Sequence, residues 1–154
     1  MPATKIKEFL DNHGVKYVSI RHSPAYTAAE VAASTHVAGR DFAKTIVVRM
    51  DDNFALVALP ASRRLVLADL RELLQTPLLR LATEAEFRNL FPDCEVGAMP
   101  PFGNLYGLPV YVAASLAEEP EIAFNAGTHT EVIKMDYEDF AELVRPTVLD
   151  FITT

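Results

Sequence analysis

The chain has 154 residues, of which 50% are hydrophobic and 23% are charged, as in a folded globular domain and unlike a disordered chain. The net charge of −7 argues against broad binding along nucleic acid, although a local basic pocket can still bind the end of an RNA. No apolar run approaches the ~18 residues of a membrane span, and the N-terminus lacks the apolar stretch of a signal peptide. We expect one cytoplasmic domain over residues 1–154, without membrane contact.

Helices and strands are predicted along most of the chain. In the N-terminal half, the expected elements are a helix over 4–13, a strand over 16–21, a helix from 27 to about 37, and a hairpin of strands 42–50 and 54–60. In the C-terminal half, they are helices over 67–75 and from 83 to about 91, strands over 110–113, 121–125 and 131–135, and a helix over 137–145 capped by Asp136. Capping boxes open the helices at Thr27 and Thr83, with partners Glu30 and Glu86. This mixture predicts a single compact α+β domain with a mixed, curved, barrel-like sheet flanked by helices.

Lys44 occupies an unusual position in the first strand of the predicted hairpin. Alternate residues of a strand share a face, which places Lys44 beside Phe42, Ile46 and Val48. An unpaired ammonium group on such an apolar face is unfavourable. Three explanations stay open: a long side chain that reaches solvent, a carboxylate partner, or a bound anion.

Two loops are candidates for a binding site. The first, Gly97-Ala98-Met99-Pro100-Pro101-Phe102-Gly103, is stiff and apolar because prolines fix φ and glycines allow close approach of the backbone. It is either a rigid connector or a pocket wall whose amides hold a carbonyl or oxyanion. The second, Asn125-Ala126-Gly127-Thr128-His129-Thr130, is either an exposed β-turn or a polar part of the same site.

The other reactive side chains suggest no cofactor chemistry. Cys94 is the single cysteine, so no internal disulfide forms, and its acidic neighbours favour a partly buried thiol over a nucleophile. The four histidines have no metal-ligand spacing, and no hydrolase elbow, P-loop or dinucleotide fingerprint occurs, so we expect no metal and no cofactor. Arg63 and Arg64, with Arg40 and Arg71, are either solvated surface or a phosphate-facing rim.

The order of several stretches resembles the YbaK/EbsC family, which includes free-standing relatives of the editing domain of bacterial prolyl-tRNA synthetases. The main stretches are FAKTIVV around Lys44, GAMPP at 97–101 and FNAGTHTEVIKM at 124–135. Further similar stretches are HSPAYTAAEVA, RLATEAEF and LPVYVAASL. No single motif is specific for the family, so the resemblance rests on the order of the motifs over about residues 4–145.

The resemblance implies a hydrolase that deacylates tRNA mischarged with a small amino acid, by metal-free attack of water and without a protein nucleophile. It implies that Lys44 contacts the phosphate backbone of the terminal adenosine and that Gly97 opens a loop whose backbone positions the aminoacyl group. His129 is a further catalytic candidate. The expected substrate-binding residues are His22, Tyr26, Ile46, Met99, Pro101, Phe102, Gly103, Gly127 and Thr128.

The implied partners are the 3′ acceptor end of a mischarged tRNA and an aminoacyl-tRNA synthetase. Selection by size discriminates weakly per methylene, so several small amino acids are expected substrates. One alternative is a non-catalytic module that binds a tRNA 3′ end or a synthetase, and another is a hydrolase of small esters or amides unrelated to tRNA. The editing hypothesis requires Lys44 to open onto the same cavity as the loop 97–101.

Overall fold

The computed structural model describes residues 4–153, so residues 1–3 and 154 of the expected domain lie outside the described part and the single domain stays a prediction. The helices are α1 (Thr4–Asn12), α2 (Ala28–Ser34), α3 (Leu67–Leu74), α4 (Glu84–Phe87), α5 (Ala114–Ala117) and α6 (Tyr137–Val144). The strands are β1 (Tyr17–Arg21), β2 (Ala43–Met50), β3 (Asn53–Pro60), β4 (Arg80–Leu81), β5 (Val110–Ala113), β6 (Glu121–Asn125), β7 (Glu131–Asp136) and β8 (Thr147–Leu149). Between residues 4 and 153, no helix has the length and apolar character needed to cross a membrane.

The strands form two sheets that meet at one bridge. The first has the order β1-β7-β6 and is antiparallel, and the second has the order β4-β2-β3-β5-β8 and is mixed, because β5 runs parallel to β3 and to β8. Phe42 and Ala123 form the bridge between them. The mixed α+β class is therefore confirmed, and no closed barrel forms within residues 4–153.

Both faces of the β2–β3 hairpin are covered, which explains its apolar sequence. On one face, Val47 and Leu56 belong to the largest apolar cluster, which packs the hairpin against α1, α6 and the three-stranded sheet. On the other face, Val48 and Leu59 pack with Leu70 of α3. Complete burial of side chains of this size contributes roughly 1.5–3 kcal/mol each, so the hairpin is a rigid support for what lies at its ends.

The helix α2 begins where the sequence predicts, but it ends earlier than predicted. The N–H of Glu30 donates to Thr27 Oγ1 at 3.1 Å, which confirms the first capping box, and the second box at Thr83 is confirmed in the same way. The helix ends at Ser34, before the predicted Val37, because His36 adopts a left-handed backbone with φ of +58°.

Four further local features differ from expectation. Asp136 occupies the predicted N-cap position of α6, but its side chain makes no capping hydrogen bond in the described part of the chain, and the strand β7 extends to that residue. The short elements β4, α5 and β8 were not predicted. Segments of two to four residues are too short to show a period, so only their tertiary neighbours define them.

Candidate functional site

The imidazole of His129, in the turn between β6 and β7, is held in one tautomer. Its Nε2 lies 2.8 Å from the carbonyl oxygen of Val96, and since a carbonyl only accepts, Nε2 carries the proton. In the neutral ring Nδ1 is then an acceptor, and it is buried without a hydrogen-bond partner in residues 4–153. His129 therefore has an unused acceptor for a donor group of a substrate or a water.

Glu95 joins the loop 97–103 to the turn that contains His129. Its Oε1 accepts from the His129 N–H at 2.9 Å, and its own N–H donates to the Gly127 carbonyl at 2.8 Å. The Ala98 N–H donates to the Glu95 carbonyl at 3.0 Å, and the Gly127 N–H donates to the Ala98 carbonyl at 2.9 Å. Three of these bonds join the two loops and fix the distance between them, and the bond from Ala98 to Glu95 closes a turn within the first loop. Glu95 was not predicted, because a single loop carboxylate belongs to no motif.

The backbone of Gly97 faces the imidazole. Gly97 and Gly127 have φ of +85° and +96°, in the left-handed region that favours glycine. A Cβ atom built on Gly97 would lie 3.5 Å from Cε1 of His129, so the two groups are in direct reach of one small molecule. The exposed Gly97 N–H has no backbone acceptor in the described residues, which leaves it free to donate to a carbonyl oxygen.

His22 and Tyr26 flank this group from the segment before α2. The His22 N–H donates to the Thr130 carbonyl at 2.9 Å. The rings of Tyr26 and His129 lie 4.8 Å apart between centroids, and Tyr26 is 70% exposed. Thr128 instead supports the turn itself, because its Oγ1 accepts from the Thr130 N–H at 2.9 Å. The structure thus brings together His22, Tyr26, Gly97, Gly127, Thr128 and His129, whose roles in substrate binding stay predictions.

Lys44 is half-buried in β2, opposite Leu59 of β3, and lacks a counter-ion. Burial, and then the nearby charge of Arg64, lower the pKa of Lys44. It forms no salt bridge with any residue of the described range, which removes a carboxylate partner as the explanation. Two neighbouring cations, of which Lys44 has no carboxylate partner in the described residues, form a site that a phosphate group would satisfy.

Lys44 is connected to the His129 group through Phe42. Phe42, two residues before Lys44 and just before β2, packs with Ala25, whose N–H donates to the His129 carbonyl at 3.2 Å. Phe102 of the loop 97–103 instead belongs to the cluster on the opposite face of the hairpin. A cavity shared by Lys44 and this loop stays a prediction.

The remaining predicted residues have packing roles in the structure. The Phe102 ring lies 5.3 Å from the rings of Phe124 and Phe140, in the centre of the main cluster. A Cβ atom on Gly103 would lie 2.3 Å from the carbonyl oxygen of Leu108, so only glycine fits there. Ile46 packs towards α3. Substrate contact stays a prediction for Ile46 and for the buried loop residues Met99, Pro101, Phe102 and Gly103.

The cysteine and the acidic groups do not form a reactive centre. Burial, and to a smaller extent the charge of Asp93, raises the pKa of the Cys94 thiol to about 11, although its contact with the Tyr106 hydroxyl at 3.3 Å lowers it. This agrees with the interpretation of Cys94 as a structural side chain. No cluster of three or more His, Cys, Asp and Glu side chains that could hold a metal ion occurs between residues 4 and 153.

Solved structures share this fold over almost the whole chain. A candidate trans-editing enzyme for prolyl tRNA synthetase is 26% identical with a TM-score of 0.84, over 99% of this chain and 98% of that one. The hypothetical protein APE2540 is 23% identical with a TM-score of 0.86, over 97% and 99% of the two chains. A candidate signal transduction protein from Marinobacter aquaeolei VT8 is 17% identical with a TM-score of 0.76, over 97% of this chain but 30% of that one. The last two likenesses concern the fold alone.

The sequence itself matches one protein family. No curated protein matches the chain significantly. The family model of the aminoacyl-tRNA editing domain, however, matches residues 22–143, a range that begins at His22 and includes Lys44, Gly97 and His129. This range is well over half of the 154 residues, and it confirms the resemblance seen in the sequence. The chain belongs to the aminoacyl-tRNA editing domain family.

Proposed function

We propose that this protein is a trans-editing hydrolase that deacylates tRNA mischarged with a small amino acid. The observation that carries the proposal is the position of the His129 ring beside the Gly97 backbone, with an unused acceptor on Nδ1. In a member of the editing domain family, a donor from the backbone and an acceptor from a side chain are the two groups that hydrolysis of an ester by water requires.

Each group has a distinct role in the proposed reaction. The Gly97 N–H donates to the ester carbonyl oxygen, on which negative charge develops as water attacks the carbonyl carbon. His129 Nδ1 accepts a hydrogen bond from the attacking water. The bond between the carbonyl carbon and the ribose oxygen then breaks, and the proton that the attacking water gives up passes to the ribose oxygen, which leaves as a hydroxyl. Lys44 and Arg64 bind phosphate at the 3′ end, and the water needs no metal ion.

The position of His22 and Tyr26 supports selection at the entrance of the site. Tyr26 is exposed but its ring packs on His129, so it covers one side of the imidazole. A site closed in this way selects by size, which discriminates weakly between side chains that differ by a methylene. Several small amino acids are therefore proposed substrates, with the tRNA 3′ end as the main partner and a synthetase as a second one.

A panel of substrates tests the proposal. We expect turnover of tRNAs mischarged with small amino acids and slower turnover of the corresponding free aminoacyl esters, with or without a chelator. His129→Ala should lower kcat by about 10²-fold, the lower end of what a positioned acid or base contributes. The matched control His13→Ala changes an exposed histidine and should keep full activity.

Two outcomes would contradict the proposal and identify the alternatives. Binding of mischarged tRNA without turnover would indicate a non-catalytic module. Equal turnover of free esters and of aminoacyl-tRNA would indicate a hydrolase of small esters. Full activity of His129→Ala would remove this residue from the mechanism.

A further inference from the structure

An apolar cavity of about 300 Å³ lies between α2 and the turn that follows β3. One side comes from the exposed face of α2, and Gly39 and Ser62 meet at the other, where a Cβ atom on Gly39 would lie 3.2 Å from Ser62 Cβ. None of the reacting groups proposed above lines it. Its walls are formed by small side chains, principally Ala29, Ala32, Ala33, Val37, Ala61 and Ser62.

This cavity is adjacent to the cation pair of Lys44 and Arg64. The Ala61 N–H donates to the Phe42 carbonyl at 2.8 Å, so the pairing of β2 and β3 continues one step past the end of β3. Lys44 is opposite Leu59, and Ala61 is two residues further along, on the same face. Diagonal neighbours of this kind lie about 7–8 Å apart, within reach of a lysine side chain.

The cavity and the cations differ in chemistry and together match a nucleotide. Lys44 and Arg64 suit a phosphate, and they form a local positive site on a chain of net charge −7. The cavity suits an uncharged, flat group with apolar faces, and the Ser62 hydroxyl is able to bond a polar edge. A volume of about 300 Å³ is at the lower end for small-molecule pockets, which fits one ring system and not a longer ligand.

We propose that this cavity is the subsite for the adenine base of the nucleotide whose phosphate lies between Lys44 and Arg64. The inference rests on the proposed function, in which that nucleotide is the 3′-terminal adenosine of the tRNA. It separates recognition of the base, between α2 and the turn after β3, from the reacting ester, which lies at Gly97 and His129. If the cavity instead holds the side chain of the esterified amino acid, the affinity for a nucleotide should not depend on its base.

The test uses adenosine 5′-monophosphate and ribose 5-phosphate as probes, titrated into the full chain and followed by NMR of the alanine methyl groups. The first probe should bind about tenfold more tightly, which corresponds to ~1.4 kcal/mol of apolar burial of the base. The methyl signals of Ala29, Ala33 and Ala61 should shift with the first probe only.

Matched variants locate the binding. Ala33→Leu fills the cavity from an exposed position of α2 and should reduce the affinity for adenosine 5′-monophosphate to that for ribose 5-phosphate. Ser34→Leu changes the next exposed residue of the same helix, outside the cavity, and should keep the tenfold difference. Circular dichroism checks the fold, and Ala29→Leu replaces the first variant if it unfolds.

Equal binding of the two probes, or no binding of either, would overturn the inference, and so would an unchanged preference in Ala33→Leu. These results are distinguishable from failure of the proposed function. Deacylation without a base preference would retain the hydrolase and remove the subsite. A base preference without deacylation would retain the subsite and indicate a binding module.

Discussion

At the scale of a single residue, Lys44 is a charged side chain whose environment opposes its charge. Lys44 is half-buried, and burial and then the Arg64 charge lower its pKa, so its charged form is less favourable in the folded protein than in the unfolded chain. No carboxylate among residues 4–153 compensates for this by a salt bridge. An uncompensated lysine of this kind agrees with the phosphate role proposed for Lys44.

Lys44→Met should therefore stabilise the protein and inactivate it. Methionine fills the same space on an apolar face without a charge to desolvate, so Tm should rise relative to the wild type. Deacylation of tRNA should fall by about tenfold or more, the effect of one charge-assisted phosphate contact.

Thermal unfolding and kcat/KM measure the two effects separately. Lys16→Met, at an exposed lysine, is the control and should change neither quantity. A lower Tm for Lys44→Met would show that the lysine contributes to stability, and full activity would remove its phosphate role.

At the scale of elements, two loops from distant parts of the chain depend on one carboxylate. Glu95 accepts from the His129 N–H across 34 residues of sequence, while its backbone bonds to Gly127. Neither loop has a regular structure that would hold it in place. The geometry of Gly97 relative to His129 is thus a property of the pair of loops and not of either alone.

Glu95→Ala should lower kcat with little change in KM, because it releases the His129 turn without touching the phosphate site. It should also cost about 1 kcal/mol of stability for the lost hydrogen bond. Glu95→Gln keeps an oxygen acceptor at the same place and should recover most of the activity. Equal loss in both variants would contradict the positioning role and indicate that the charge itself is needed.

A second carboxylate, Glu131, connects α1 and β1 to β7. Burial alone would raise its pKa, but hydrogen bonds from Lys7 and Ser19 and the charges of Lys7 and Arg21 outweigh it, so the pKa is lowered. The Arg21 guanidinium lies 4.0 Å from the carboxylate. Protonation of Glu131 is therefore less favourable in the folded state than in the unfolded state.

The sign of this shift predicts a loss of stability in acid. The contribution of Glu131 is complete above the unfolded value of ~4.3 and is lost as the pH falls through the lower folded value. Urea unfolding from pH 3 to pH 7 should show a shallower acid decline for Glu131→Gln than for the wild type, and an unchanged decline for the exposed control Glu138→Gln. Identical profiles for wild type and Glu131→Gln would contradict the linkage.

At the scale of the whole molecule, the proposed function requires an acidic protein to bind an anionic substrate through one small basic site. The net charge of −7 opposes long-range attraction to tRNA, and only Lys44 and Arg64 bind phosphate in the proposal. The logarithm of kcat/KM should fall with the logarithm of salt concentration with a slope of about −1.4, two contacts at ~0.7 each. A slope steeper than about −4 would indicate broad contact with the tRNA body instead.

The sequence by itself determined the features that depend on neighbouring residues. Both capping boxes, the β2–β3 hairpin and the apolar setting of Lys44 follow from spacings of two to four residues, and the structure has them all. The family also follows from the order of short motifs along the chain. Such patterns can be recognised in a sequence because side chains along a helix or a strand recur on one face with a fixed period.

Only the tertiary structure decided what these elements present to a substrate. The His129 tautomer is set by Val96, the loop spacing by Glu95, and the charge near Lys44 by Arg64, each from another segment. Hydrogen bonds and charge pairs of this kind depend on distances in space, which no local period encodes. For the same reason β8, which pairs with β5 only after the chain has crossed the molecule, was not predicted.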